Sequence, residues 1–484
     1  MRIVIRAKAF FEWKRAGAGL QTKRIVKKFI VSFGLVAAGA ASVHAAYAPD
    51  AGDTSKYWSL SSSLRGFYDD NYTTTPQKQG SWGFQINPSL GINLPFQQTE
   101  FGMRYSYGLY WYENRERLGQ DPIDQTHQVD LWLDHAFSPR WETRFQDTLV
   151  VAQEPNLLAQ QGPVSVAQRV SGNNIANTAM LSLHTDWTRE FSTLLAYHNA
   201  FYDYENSGAT ILNATGTPAT LLSPGPPPIY LYPSGSPASV SPSYAGTLNR
   251  VEQAISLDFQ WQVMPTTMAF IGYQFGLVNY VGDELIGYSQ PFPFTSTPTP
   301  LYSDSRDNLS HFLYVGVQHE FTTALVGSLK AGFQYTDYFN DPSGNNNSVS
   351  PYGDASLIYT YASGCYAQVG VTESQNATDT VSPSYSSGQI TLNQQSTVVY
   401  GSVTHRLAPK LTGEMVGHFQ YSTYNEGQYN DQATYFYNWY AGLTYSFTRH
   451  FSSDLRYNFD YYTSDIPGSS YTRNRVSLGV TATF

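Results

Sequence analysis

Residues 249–263 read "NRVEQAISLDFQWQV". Val251, Ile255, Leu257, Phe259, Trp261 and Val263 fall at odd positions, and Glu252, Ser256, Asp258, Gln260 and Gln262 at even ones. Successive side chains on a strand point to opposite faces, so this segment is a strand with one mainly apolar face and one polar, charged face. Residues 81–94, "SWGFQINPSLGINL", repeat the pattern. Trp82, Phe84, Ile86, Leu90, Ile92 and Leu94 oppose Gln85, Asn87, Ser89 and Asn93. So do residues 451–462, where Leu455, Tyr457, Phe459 and Tyr461 oppose Asp454, Arg456, Asn458 and Asp460. A β-sandwich needs bulky aliphatic residues on its buried face and gives no reason for charges in strand after strand on the other. A water-filled lumen does. A propeller would show blade motifs at a period near 40–45 residues, and the hairpins here are irregular in length.

The connections also alternate. One set is tight: "FSPRW" (137–141), "WTREF" (187–191), "VMPTT" (263–267), "EFTTAL" (320–325), "RLAPKL" (406–411) and "SFTRHF" (446–451). The other is long and polar, over 114–124, 155–174, 205–246, 282–306, 341–350, 376–392, 426–432 and 465–471. Short turns at one end and long loops at the other predict an all-β, transmembrane, antiparallel up-and-down β-barrel. The segments number about 18. Sixteen is the alternative, because the first strand and 364–373 are weakly marked. An even count places both termini at the short-turn, periplasmic end. Tyr and Trp gather near strand ends, as at Tyr57/Trp58, Trp141, Trp187 and Tyr461/Tyr462, where a ring with a polar tip suits the headgroup zone.

Composition agrees. Of 484 residues only 13% are charged, 15% are aromatic, and 38 are Tyr. A soluble domain carries about 25% charge. Residues 1–28 hold nine Lys/Arg and Glu12, and are followed by the apolar run "FIVSFGLVAAGAA" and by "SVHAAYA". A basic, then apolar, then small-residue order predicts a signal peptide over 1–45, cleaved after Val43-His44-Ala45 or after Ala46-Tyr47-Ala48. A lead-in over 46–55 and a barrel over 56–484 complete the division. Without the basic leader the chain has 19 Lys/Arg against 36 Asp/Glu, a net of −17. That argues against nucleic acid as a partner. Cys365 is the single cysteine, so no intramolecular disulfide forms.

The chain closes on "RVSLGVTATF" (475–484). By parity Val476, Leu478, Val480 and Phe484 face lipid, and Arg475, Ser477, Gly479 and Thr481 face inward. This ending resembles the C-terminal signal of bacterial outer-membrane proteins. That resemblance implies the outer membrane of a bacterial cell as location, with outer-membrane lipid and the barrel-assembly machinery as partners. Phe484 would then be part of the signal that the machinery reads. In its alternating segments and in turns such as "FSPRW" and "RLAPKL", the chain also resembles the putative β-barrel porins of Gram-negative envelopes. This second resemblance implies a channel but names no substrate.

No enzyme pattern is present: no G-x-S-x-G, no H-E-x-x-H, no P-loop and no EF-hand spacing. No catalytic residue, metal site or cofactor is therefore assigned. His198 and His418 point inward by parity, with no nucleophile to place beside them. The polar face carries Arg104, Asp130, Asp134, Arg144, Glu252, Asp258, Lys330, Glu414, Asp454, Arg456, Asp460, Arg473 and Arg475. Eighteen strands leave an aqueous channel, so these thirteen are expected to line a pore and set its ion preference. Seven acids against six bases leave the lining near neutral. Acids in the external loops, namely Asp121, Asp124, Glu205, Asp283, Asp304 and Asp379, add a weak cation preference. Loop 154–173 offers Glu154 and Arg169 to a constriction. The proline-rich loop 217–243 is expected to be an external, solvated loop. The expected function is passive diffusion of small hydrophilic solutes through a monomer or a homo-oligomer. The alternatives are a structural or adhesive barrel with no open pore and a barrel accessory to polysaccharide export.

Overall fold

The computed structural model describes residues 57–152, 173–205, 208–212, 220–223, 229–231, 239–288, 300–341, 347–382 and 389–484. Eighteen strands of 12–16 residues make one sheet: β1 (Trp58–Asp69), β2 (Ser81–Pro95), β3 (Thr99–Tyr112), β4 (Ile123–Ser138), β5 (Trp141–Ala152), β6 (Asn174–Asp186), β7 (Phe191–Tyr204), β8 (Arg250–Met264), β9 (Thr267–Tyr280), β10 (Asn308–Glu320), β11 (Leu325–Asp337), β12 (Asn347–Ala362), β13 (Cys365–Asn376), β14 (Asn393–Ala408), β15 (Leu411–Asn425), β16 (Ala433–Ser446), β17 (Phe451–Ser464) and β18 (Tyr471–Thr483). Each pairs antiparallel with its neighbours in sequence, and β18 returns to pair with β1. The sheet therefore closes with no free edge, as the hydrocarbon requires, because every backbone N–H and C=O there must find a partner within the protein. Eighteen strands settle the count in favour of the larger number. The signal-peptide and lead-in readings, over 1–45 and 46–55, lie outside the described residues.

Phe484 continues the closing ladder one residue past β18. Its amide donates to the Leu60 carbonyl at 2.8 Å, and its carbonyl accepts from the Leu60 amide at 3.2 Å. Among the described residues no helix is long and apolar enough to span a membrane; the strands make the crossing.

The two faces separate as the alternation requires. On β8, Ile255, Phe259, Trp261 and Val263 lie on the exposed outer face, while Ser256, Asp258 and Gln260 are buried inside. Inside, glycine is used to seat rings. A Cβ at Gly272 would collide with the Tyr314 ring, and one at Gly316 with the Phe270 ring. A bare backbone lets each ring lie flat on the lumen wall, a pairing that strengthens a sheet at its glycines.

Candidate pore and its mouth

All thirteen inward-assigned residues lie on the inner face. Arg104, Asp134, Arg144, Glu252, Glu414 and Arg456 are half-buried, and the other seven are buried. Most are engaged with one another or with neighbours. Arg144 pairs with Asp134 at 2.5 Å, Glu252 with Arg250 at 2.6 Å, and Asp454 with both Arg65 (3.0 Å) and Arg456 (2.8 Å). Arg473 pairs with Asp69 at 2.5 Å. Arg475 lies 3.8 Å above the Phe67 ring. Lys330 donates to Tyr352 Oη at 3.0 Å and sits over the rings of Tyr314 and Tyr352. Tyr314 in turn donates to Asp258 at 2.6 Å. Asp130 accepts from Gln128 and Thr148, and Asp460 from Asn438. Such pairs brace the wall as well as charge it.

The inner face holds further charges that the sequence reading missed. These are Asp69, Glu100, Asp124, Glu142, Asp186, Glu320 and Asp354 among acids, and Arg65, Arg250 and Arg406 among bases. Parity extended to the strand ends would have found Glu100, Asp124, Glu142, Asp186, Arg250 and Glu320, and the same parity holds for Asp354 in the middle of β12. Arg65 and Asp69 escaped because β1 is serine-rich at its start and its alternation is faint. The lining is therefore acidic rather than near neutral. Asp124 is a correction: it lies in β4, not in an external loop, and is buried in a two-oxygen pair with Arg115 at 2.7 Å. Asp121, Glu205 and Asp283 are exposed at the loop end, with Asp304 and Asp379 half-buried there.

Burial divides the lumen into two walls. Along β2–β5, Gln85, Asn87, Ser89, Arg104, Ser106, Gln128, Arg144 and Gln146 keep partial contact with solvent. Along β14–β18 the inner side chains nearer the loop end are packed, with Ser396, Val398, Val416, His418, Gln420, Phe436, Asn438 and Ser477 all buried, while Tyr400, Arg406, Glu414 and Arg456 keep solvent contact. A polar face in contact with water needs no internal partner, whereas on the packed wall groups pair with one another, as Ser396 does with Ser422 and Asn438 with Asp460.

Loops fill the mouth over the packed wall. Ile286, Leu301, Tyr338, Val381, Ile390 and Leu392 come from three different loops and form one buried apolar cluster. Arg306, fully buried, ties these loops together. Its Nη1 donates to the Thr247 carbonyl at 3.0 Å, its Nη2 to the Thr378 carbonyl at 2.8 Å, and the guanidinium lies 4.4 Å above the Tyr280 ring. Burial pulls the Arg306 pKa down, against the pull of Tyr280, Tyr338 and Asp379. Asp379, in the 377–392 loop, lines a small cavity with Gln394, Gln420, Tyr424, Thr434, Phe436 and Tyr462 on β14–β17. That loop therefore reaches down to the inner wall. Polar composition had suggested solvated loops, and the few apolar residues in them gave no sign that they converge. Glu154 and Arg169, the expected constriction pair, lie outside the described residues, as does most of 217–243. Among the described residues no group of three or more His, Cys, Asp or Glu could hold a metal ion.

On the outer face Val476, Leu478, Val480 and Phe484 are exposed, as the closing strand's parity requires. Phe484 stacks on His450 at 5.6 Å and meets Phe451 edge-on at 6.1 Å.

Residues 350–484, β12 through β18, match the sequence model of the family described as "Putative beta-barrel porin 2". No curated protein matches the chain. Among solved structures it is similar to the siderophore receptor PiuA from Acinetobacter baumannii (10% identity, 89% of this chain and 82% of that one, TM-score 0.44). It is also similar to the outer membrane protein opdK from Pseudomonas aeruginosa (9%, 88% and 99%, TM-score 0.42) and to OccAB3 from Acinetobacter baumannii (10%, 88% and 99%, TM-score 0.41). Residues 350–484 thus match a β-barrel porin family model, and the described chain forms a closed 18-stranded antiparallel barrel with an apolar exterior and a charged interior, the build of an outer-membrane β-barrel.

Proposed function

We propose that the barrel is a passive channel for small hydrophilic solutes, that it has no catalytic step, and that its path runs along the inner faces of β2–β5. The observation that carries this reading is the division of the lumen. Polar and charged side chains on that flank keep solvent contact, while more of the inner face of the flank on the far side of β1, β14–β18, is packed. An 18-stranded barrel is wide enough for such a path after one wall is filled. The thirteen inward residues named from the sequence act on this reading as lining and bracing groups together. A second reading, a structural barrel held shut, draws support from the loop cluster around Arg306.

Single-channel recording in planar bilayers separates the two. Stable ohmic steps are expected, and a folded but silent protein would favour the closed barrel. Reversal potentials under a KCl gradient should show cation preference, because the inner face adds acids at the turn-end mouth (Glu100, Glu142, Asp186, Glu320). The preference should weaken from 0.1 M to 1 M salt, as the screening length falls from about 10 Å to about 3 Å. An anion preference would sink this reading of the lining.

Phe484, with Val476, Leu478 and Val480, is proposed as the assembly signal read by the barrel-assembly machinery. Phe484→Asp should sharply lower the amount of folded protein in the outer membrane. The energetic penalty of a carboxylate near the interface is small, below the ~2–4 kcal/mol of a mid-membrane Lys or Arg, so a large drop reports a recognition defect. Normal levels of heat-modifiable protein in the mutant would count against the assignment.

A further inference from the structure

We infer that the outer rim at the short-turn end is a binding girdle for the phosphodiester headgroups of anionic phospholipids in the periplasmic leaflet. The inference rests on the outer-membrane placement and is independent of whether the pore conducts.

Charge is sorted by face at this end. The eight short turns carry four exposed cations, Arg140, Arg189, Lys410 and Arg449, against one exposed acid, Glu190. The other nearby acids, Glu100, Glu142, Asp186 and Glu320, lie on the inner face, out of reach of lipid. Lys410 Nζ donates to the Phe447 carbonyl at 3.0 Å, which holds the ammonium on the rim between two turns. A ring of lipid phosphates therefore meets cations on the outside of the barrel while the acids are screened by the wall.

Four imidazoles stand beside this ring, each against an aromatic side chain. His135 and His319 meet Phe137 and Phe321 edge-on at 4.5 and 4.7 Å, and His405 and His450 stack on Tyr361 and Phe484 at 5.8 and 5.6 Å. In each, Nδ1 is held by a neighbour. Thr99 and Thr267 hold His135 and His319 (2.7 and 2.8 Å), Tyr361 holds His405 (2.8 Å), and the Thr483 carbonyl holds His450 (2.8 Å). The aromatic partner anchors in the acyl boundary; in His135, His319 and His405 a hydroxyl that donates to Nδ1 leaves Nε2–H to donate to a headgroup oxygen, whereas His450, whose Nδ1 donates to a carbonyl, offers Nε2–H only as an imidazolium. Aromatic rings alone would fit any interface. The paired imidazoles and the one-sided cations add a preference for phosphate. A juxtamembrane cation contributes about 1 kcal/mol of attraction to an anionic surface, which is about a fivefold preference for each headgroup it meets.

The test is tryptophan quenching of the full chain, refolded into phosphatidylcholine vesicles containing increasing dibrominated phosphatidylglycerol. The relative binding constant of the anionic lipid should exceed that of the zwitterionic lipid by about fivefold. It should fall to near one in Arg140→Gln/Arg189→Gln/Lys410→Gln/Arg449→Gln, and stay unchanged in the loop-end control Lys78→Gln/Arg117→Gln. Heat-modifiable migration checks folding. If the fourfold variant does not fold, the four single substitutions should each remove part of the preference. A wild-type ratio near one, or a preference that survives the turn substitutions, overturns the proposal. So does loss in the loop-end control alone, which would place the phosphate site in the opposite leaflet.

Discussion

Arg473→Ala is expected to destabilise the barrel by about 3–5 kcal/mol, the penalty of leaving one member of a buried ion pair alone. Asp69 has no solvent exposure, and its Oδ2 accepts both Nε (2.8 Å) and Nη2 (2.5 Å) of Arg473. The pair joins β1 to β18, the one contact between sequence-distant strands that closes the sheet. A second pair across this part of the wall, Arg65 with Asp454 on β17, does not share atoms with it. Its loss should therefore add to the first rather than replace it. The measurement is urea unfolding in lipid vesicles, followed by heat-modifiable migration. Asp69→Leu/Arg473→Met should recover most of the loss, since replacing both partners removes the stranded charge together with the pair. A single mutant within about 1 kcal/mol of the wild type would show that the seam rests on its backbone ladder and not on this pair; that threshold is the net worth of an ordinary hydrogen bond.

Arg306→Ala is expected to loosen the mouth without unfolding the barrel. The substitution strips the donors from two buried carbonyls, Thr247 and Thr378, and removes the cation over Tyr280. Charge-assisted hydrogen bonds contribute about 1.5–3 kcal/mol each. A local loss of about 3 kcal/mol raises the opened population of the loop cluster on the order of a hundredfold. Limited proteolysis should cut the 300–307 and 377–382 segments much faster in the mutant, with the heat-modifiable midpoint of the barrel unchanged. Single-channel conductance should rise, because Asp379, next to the latched Thr378, reaches the inner wall at Gln394 and Gln420. Arg306→Lys should fall between the two, because one ammonium on a flexible stem does not reproduce the planar fork that serves both carbonyls. Unchanged proteolysis would mean that the apolar cluster of Ile286, Leu301, Tyr338, Val381, Ile390 and Leu392 holds the loops without the latch.

The barrel itself was legible in the sequence, because its causes are local. Period-two alternation sorts Leu257, Phe259 and Trp261 from Ser256, Asp258 and Gln260 whatever the neighbours are. Short turns such as "FSPRW" and long loops such as 282–306 mark the two ends. Parity alone therefore put all thirteen predicted charges on the inner face, and Val476, Leu478, Val480 and Phe484 on the outer one. The rest required the fold. That Arg473 meets Asp69, 404 residues away, follows from closure and register, which no window of sequence contains. That Asp124 is paired rather than displayed depends on where β4 begins. The largest gap was the mouth. Ile286, Leu301, Val381 and Ile390 lie in short apolar stretches or singly within long loops, and only the ring of strands brings those loops over one another. Burying a guanidinium such as that of Arg306 needs acceptors from two other loops at once, and that convergence is a property of the tertiary structure alone.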